Sequence, residues 1–423
     1  MTVSKYMSRR KLLTNLRRRA RVSWGSAGEP TIALLTPVTV PRLAEQYEAC
    51  SDRKGPCSNR MDRPDRNSLV SALACLVATV WLASCAVRRA PASVTEPPCR
   101  AVDSARDVEW VLRPAEEERS ALDAFCWAVG PPAFHTPQER PATQPIDSVA
   151  VITWNTHVGA GDLTALIRNL RSGQLTGSPV RNFVLLLQEV HRAGQHVPDQ
   201  IPEWTAVGRR SGHDHPDRAD IVAVASTEKL DLMYAPSMRN GRPDSTRPHE
   251  DRGNAILSTL PLTDPILLEL PYERQRRIAV IATVRGFDSN RTPWSLRLAS
   301  VHLDNRTRFS RILRSFGAGR ADQARALVGA LNETDAPTVV GGDFNSWDSG
   351  LTSEAVQVVH QSFPMPADPD NEATLPLPWP LPDLRLDHLF FRVPSDWRAD
   401  YRVLGDAFGS DHYPLLGWVG IRN

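Results

Sequence analysis

Lysine is nearly absent from this 423-residue chain, present only as Lys5, Lys11, Lys54 and Lys229 among 50 basic residues. Cysteine is limited to six positions with none beyond Cys126, which excludes Cys-ligated zinc from the long remainder. The apolar stretch 69–83 is shorter than the ~20 residues of a membrane-spanning helix. With 41% apolar and 23% charged residues, a polytopic membrane protein and a wholly disordered chain are both excluded. No internal repeat or heptad is present, and Met, Trp and Tyr are scattered without a stripe, so neither a solenoid, a coiled coil nor a cofactor box is indicated. The length itself is enough for two ordinary domains.

Charge is unevenly spread. Residues 1–60 hold twelve Lys/Arg against four Asp/Glu, so the net +2 of the chain resolves into +8 there and −6 over 61–423. A basic footprint over the folded part, the usual mark of a duplex nucleic-acid binder, is therefore missing.

What is present begins at Met61. A short charged start leads into the apolar run 69–83 and then Leu82-Ala83-Ser84-Cys85. The run has the length of a secretory h-region, and its ending resembles the lipobox of bacterial lipoproteins. That resemblance implies a signal sequence over 61–85, Cys85 as the lipidated anchor to a membrane, an extracytoplasmic location, and an over-extended, disordered segment over 1–60. The alternatives are a buried core helix or signal anchor at 69–83, and a basic nucleic-acid arm in the Arg-rich stretch 7–24. Outside the cytoplasm Cys99 and Cys126 form either a disulfide or two free thiols.

Residues 86–98 read as a Pro-bearing tether, and 100–129 as a small helical preface ending in Gly-Pro-Pro, so that 86–146 precedes the main domain, 147–423. From Asp147 short β-rich runs dominate: 149–154, 183–187, 221–225, 255–257, 278–284, 296–301, 338–340, 389–393 and 415–419. Helical spacing covers 163–170 and 321–331. So many strands with few helices predict an α/β fold, a four-layer sandwich of two packed, mostly antiparallel β-sheets flanked by helices. The Pro-rich stretch 363–382 reads as a long surface loop near whatever site follows it.

Polar residues stand at the ends of those strands: Asn155, Gln188-Glu189, Arg252-Gly253-Asn254, His302, Gly342-Asp343-Phe344-Asn345, Asp387 and Ser410-Asp411-His412. Singly each reads as a cap, turn or core residue. In this order they resemble the endonuclease/exonuclease/phosphatase superfamily over about 147–418, with WNTHVGAGD most like the branch that starts Asn-x-His-x-Gly and RGNAILSTLPL more like the phosphatase and sphingomyelinase-like members than the abasic-site enzymes.

The resemblance implies a metal-dependent hydrolase of phosphate mono- or diesters. Such hydrolysis places negative charge on phosphoryl oxygens, which a hard cation and fixed donors stabilise. It implies Mg²⁺, with Mn²⁺ as a substitute, on Glu189, Asn155 and Asp411. It also implies His412 as general base oriented by Asp387, or Asp343 in that role with Asn345 placing the water or phosphate. His302 is expected on the phosphate, and Asn254 with Arg252 on the substrate. In the deoxyribonuclease branch a Glu on an intervening strand backs the counterpart of His302; ADIVAVASTEKL offers no clear position for one, since Glu228 lies past the apolar run. His157 is either a turn residue or a substrate contact. A phospholipid headgroup, a small phosphoester or nucleic acid are the open substrates; the −6 balance and the tether favour the first two over duplex DNA. Arg274, Arg276 and Arg277, with Arg306, Arg308, Arg311 and Arg314, could line a groove. No protein partner is implied. The alternatives are a catalytically inactive exported binding or adhesion module on the same fold, and a nuclease acting on DNA.

Overall fold

The computed structural model describes residues 97–101, 108–112, 116–139, 144–208, 218–243, 248–305, 318–347, 351, 353–367 and 372–422. All belong to one compact unit, Ala78–Asn423. Residues 1–96, with Cys85 and all of the tether but Pro97 and Pro98, and the arginines Arg306, Arg308, Arg311 and Arg314, lie outside the described residues.

In chain order the strands are β1 (Glu109–Leu112), β2 (Ala133–His135), β3 (Ser148–Asn155), β4 (Phe183–Ala193), β5 (Asp231–Arg239), β6 (Glu250–Ser258), β7 (Thr263–Glu269), β8 (Ile278–Phe287), β9 (Pro293–His302), β10 (Thr338–Asp343), β11 (Asp387–Arg392), β12 (Arg398–Val403) and β13 (Leu415–Gly420). The α-helices are α1 (Glu116–Cys126), α2 (Leu163–Ser172), α3 (Ile221–Thr227), α4 (Ala318–Leu331) and α5 (Glu354–Ser362). The strands form one sheet in the order β1-β7-β8-β9-β10-β11 and a second in the order β12-β13-β3-β4-β6-β5-β2. Parallel pairing is confined to β1–β7, β3–β4 and β9–β10; the other pairs are antiparallel.

The two-residue alternation of the strands explains the layering. On β3, Val149 and Val151 enter the core between the sheets with Val184, Val280, Leu298 and Leu389. Ala150, Ile152 and Trp154 face outward, against Leu163, Leu166, Ile167 and Leu170 of α2. On the far side, Val340 and Phe390 pack against Leu327 of α4 and Val359 of α5. Helix α2 is bounded as its sequence requires: the Asp162 carboxylate accepts from the Ala165 N–H, and Gly173 closes the other end at φ 82°.

The expected strand at 221–225 is instead helix α3. Asp220 accepts the N–H groups of Val222 and Ala223 and starts a helical turn, while the strand position is taken by Asp231–Arg239. The preface is only partly helical: β1 joins one sheet beside β7 and β2 joins the other beside β5. Cys99 and Cys126 form a disulfide, with Cα atoms 5.1 Å apart.

Two buried ionic clusters fasten this segment. Arg100 bridges Asp123 and Glu269, both at 2.9 Å, and Glu269 also holds the Arg276 guanidinium at 2.6 Å. Asp251 accepts from Arg192 through Nε at 3.0 Å and Nη2 at 2.5 Å, from the Tyr234 hydroxyl at 2.8 Å, and from the Gly130 N–H at 3.0 Å. Arg276 is thus committed to packing rather than to a groove, while Arg274 is exposed.

Candidate active site

Strand register brings the polar strand ends together. Asp343, the last residue of β10, pairs across the parallel ladder with His302 and across the antiparallel ladder with Asp387. On the other sheet Asn155, the last residue of β3, pairs with Gln188. The amide of Asn155 spans the two sheets, donating from Nδ2 to Asp343 Oδ2 at 2.9 Å. Gln188 makes a second crossing by donating to Ser300 Oγ at 3.1 Å.

Glu189 owes its position to a β-bulge. The β4–β6 register moves from Leu187↔Ala255 to Val190↔Gly253, so Gln188 and Glu189 together face Asn254. Glu189 adopts φ 51°, and the bulge takes it out of the strict alternation of the strand. The neighbouring turns also hold non-glycine residues in the left-handed region, namely His157 at 50°, Val158 at 56° and Asn345 at 48°. Such strain is concentrated where surrounding structure fixes side-chain direction. Gly253 is required at its place, because a Cβ there would lie 1.9 Å from the Ala235 carbonyl oxygen.

At the centre, His412 Nδ1 lies 2.7 Å from Asp387 Oδ2. Trp154 Nε1 donates to the His412 carbonyl at 3.0 Å, and the His412 N–H donates to Ser410 Oγ, which itself donates to the Asn155 carbonyl. The Asp387 N–H donates to Thr374 Oγ1 at 3.0 Å. Asp387 Oδ1 is buried and has no hydrogen-bond partner among the described residues. Single ligand atoms of Asp343, Asp387 and His412 all lie within 4.8 Å of one another.

Burial opposes charge on His412, but Asp387, with Asp343 and Asp411 beyond it, raises the imidazole pKa to about 10. Burial and the adjoining Asp387 charge push Asp343 up to about 7, against the lowering effects of His412 and of hydrogen bonds from Asn345 and Asn155. His302, 3.4 Å from Asp343 Oδ2, is held neutral by burial and by the positive charges of Arg277, His412 and Arg252.

The remaining expected site residues are placed as follows. The Asn345 backbone N–H donates to Asp343 Oδ1 at 2.8 Å, while its side chain donates to the Leu303 carbonyl and accepts from Trp347 Nε1. Asn254 is buried, donating to the Ile278 carbonyl at 2.8 Å, and Arg252 reaches Met238 Sδ. Asp411 is half-exposed, 3.2 Å from His157 Nδ1 and 3.9 Å from His412 Nε2. Glu228 is paired with Arg171 on the surface, away from His302.

Sequence reasoning named Arg277 only as one of a run; the fold buries its guanidinium among the charges of Asp304, Glu189 and Asp343. Thr374, the seat of the Asp387 N–H, carries no motif of its own. Its only signal was its position in the Pro-rich stretch before Asp387.

The site therefore consists of carboxylates, amides and imidazoles gathered at the strand ends of a two-sheet α/β sandwich. Residues 152–412 match the model of the Endonuclease/Exonuclease/phosphatase family, and the chain belongs to that family. Its fold is the hydrolase fold of the family. Among curated proteins, UPF0294 proteins of two Vibrio cholerae strains are 35% identical over 102 residues, 22% of this chain and 31% of theirs. The chain spans about a third of the length of these relatives. Among solved structures, the human Nocturnin catalytic domain aligns at a TM-score of 0.38 with 17% identity, covering 68% of this chain and 97% of that one. D. rerio TDP2 complexed with single-strand DNA product gives 0.39 and 15%, covering 65% and 99%. Sphingomyelinase C from Streptomyces griseocarneus gives 0.33 and 15%, covering 64% and 99%.

Proposed function

We propose that the chain is a divalent-metal-dependent hydrolase of phosphate mono- or diesters. The observation that carries this reading is the buried group of Asp343, Asp387 and His412, whose ligand atoms lie within 4.8 Å of one another at the strand ends. Two carboxylates and an imidazole are costly to bury together unless the arrangement serves binding or chemistry.

His412 already holds its proton in this setting, so its Nε2–H is a donor for a phosphoryl oxygen, with Asp387 fixing the ring through Nδ1. Asp343, with its raised proton affinity, is the better acceptor for the proton of an attacking water near neutral pH. Neutral His302 and buried Arg277 supply further donors toward accumulating negative charge.

The buried group of Asp343, Asp387 and His412 offers carboxylate oxygens, and one Asp387 oxygen has no hydrogen-bond donor among the described residues. Both features suit a hard cation. Glu189, with Asn155 and Asp411, would hold Mg²⁺ or Mn²⁺, which supplies charge neutralisation for the phosphoryl group when bound. The Cys99–Cys126 disulfide supports an oxidising, extracytoplasmic location, compatible with lipid anchoring through Cys85.

The test is turnover by the full chain with Mg²⁺ on a dye phosphodiester, plasmid DNA, sphingomyelin and phosphoinositides. Hydrolysis of at least one, lost on chelation and restored by Mg²⁺, is expected. A folded chain with no turnover on any of them returns the site to the inactive binding module.

A further inference from the structure

The segment 376–382 reads Pro-Leu-Pro-Trp-Pro-Leu-Pro and contains no charged residue. It projects as a short tongue whose tip is apolar and exposed: Trp379 is 92% accessible and Leu381 58%. An isolated exposed apolar residue is ordinary, but a tryptophan left almost wholly in water beside an exposed leucine on a rigid support calls for a partner.

The backbone chemistry of the tongue narrows the partner. Four of its seven residues are proline and carry no N–H. Of the remaining three, the Leu377 N–H donates to Asp383 Oδ1 at 2.9 Å and the Leu381 N–H to the Pro378 carbonyl at 3.0 Å. Almost no donor would therefore be stripped of water if the tip left the aqueous phase, which is the main obstacle to placing irregular backbone in a lipid interface. Tryptophan is the side chain best suited to that interface, with an apolar body and one N–H at headgroup level.

The base of the tongue is fixed to the site. Leu375 and Leu384 exchange backbone hydrogen bonds at 2.9 Å. Thr374 Oγ1 holds the Asp387 N–H, and the Thr374 carbonyl accepts the Tyr413 N–H at 2.7 Å, next to His412. Trp347, 45% exposed, leaves from the neighbouring strand end and holds Asn345.

From this arrangement we infer that the 376–382 tongue is a lipid-contacting wedge that seats the mouth of the site on a bilayer surface. It selects the phospholipid headgroup among the phosphoesters open to the proposed function and rests on that reading for the substrate, whereas the contact itself does not. Attachment is apolar, so zwitterionic lipid suffices and salt has little effect.

The test uses the full chain and the double variant Trp379→Ser/Leu381→Ser, with co-sedimentation on phosphatidylcholine vesicles and quenching of tryptophan emission by bromine-labelled acyl chains. With both apolar tips removed, the variant is expected to partition at least tenfold more weakly and to show less quenching. Circular dichroism and thermal unfolding should be unchanged. Equal partition and equal quenching for the two proteins would overturn the wedge, as would attachment that needs anionic lipid and vanishes at high salt. A soluble dye phosphodiester separates the two readings: the variant should match the wild type on it. Failure of both proteins there would remove the hydrolase reading while leaving the vesicle comparison decisive for the wedge.

Discussion

Asp343 and Asp387 stand opposite each other on adjacent antiparallel strands, and His412 reaches Asp387 Oδ2 at 2.7 Å from a third element. Two buried carboxylates face to face repel, and the positive charge of His412 beside Asp387 offsets that repulsion. The site is thus an electrostatic unit, and its members should fail together.

Replacing His412 by Ala should lower turnover by ~10²–10⁴-fold. Asp387→Asn should lower it comparably, because the amide cannot sustain the raised imidazole pKa. Adding one substitution to the other should cost much less than the product of the two. Steady-state kinetics of the two single variants and the double variant check this; retention of more than about a tenth of the activity by His412→Ala would count against its direct role.

Glu189→Gln should weaken the response to Mg²⁺ more than it perturbs the fold, because the amide preserves the shape of the bulge but removes a charge from the hard-cation donor set. The readout is the shift of thermal unfolding with added Mg²⁺, which should be present in the wild type and reduced in the variant. Equal shifts would remove Glu189 from the metal site.

Asp251→Ala should destabilise the chain by ~3–5 kcal/mol, since it leaves the Arg192 guanidinium and the Tyr234 hydroxyl buried without their acceptor. Urea unfolding followed by circular dichroism measures it. A loss below ~1 kcal/mol would show that water replaces the carboxylate there.

Acid should destabilise the fold through His388. Its pKa is held well below 6.5 by burial and by the Arg385 charge, with the ring stacked on Phe390. A depressed histidine pKa means that the unfolded chain binds a proton the folded one refuses, so stability falls as pH drops below ~6.5. His302 acts in the same direction. His412, with its raised pKa, contributes in full below ~6.5 and adds no slope there. His388→Gln should therefore flatten the stability profile between about pH 6 and pH 5 by up to ~1.4 kcal/mol per unit. An unchanged slope in denaturant titrations at these two values would refute it.

The sandwich and the order of its site residues were legible in the sequence because apolar alternation and strand-end polarity are local patterns. Val149–Trp154 displays both within a few residues. Elements whose stability comes from the tertiary structure were not legible. The run 221–225 is β-rich in composition, and the capping carboxylate of Asp220 decides for helix. β1 and β2 are short edge strands with no pattern of their own, held by pairing with β7 and β5. At the site, strand-end position singled out no one residue and only the ordered resemblance pointed to Asp343, Asp387 and His412; which of them holds the proton depends on burial and mutual distance. The bulge at Glu189 was likewise hidden, because nothing in Leu-Gln-Glu-Val marks a register shift.

The fastening of the preface sets a proteolytic boundary. Cys99, Arg100 and Gly130 all lie in the segment ahead of Asp147. Trimming to Asp147 would strip Glu269 of Arg100 and Asp251 of the Gly130 N–H, and would expose the sheet edges now covered by β1 and β2. Among the described residues, the stretch from Cys99 to the start of β3 is thus inseparable from the sandwich, because it carries both edge strands and half of the disulfide-linked ionic anchoring.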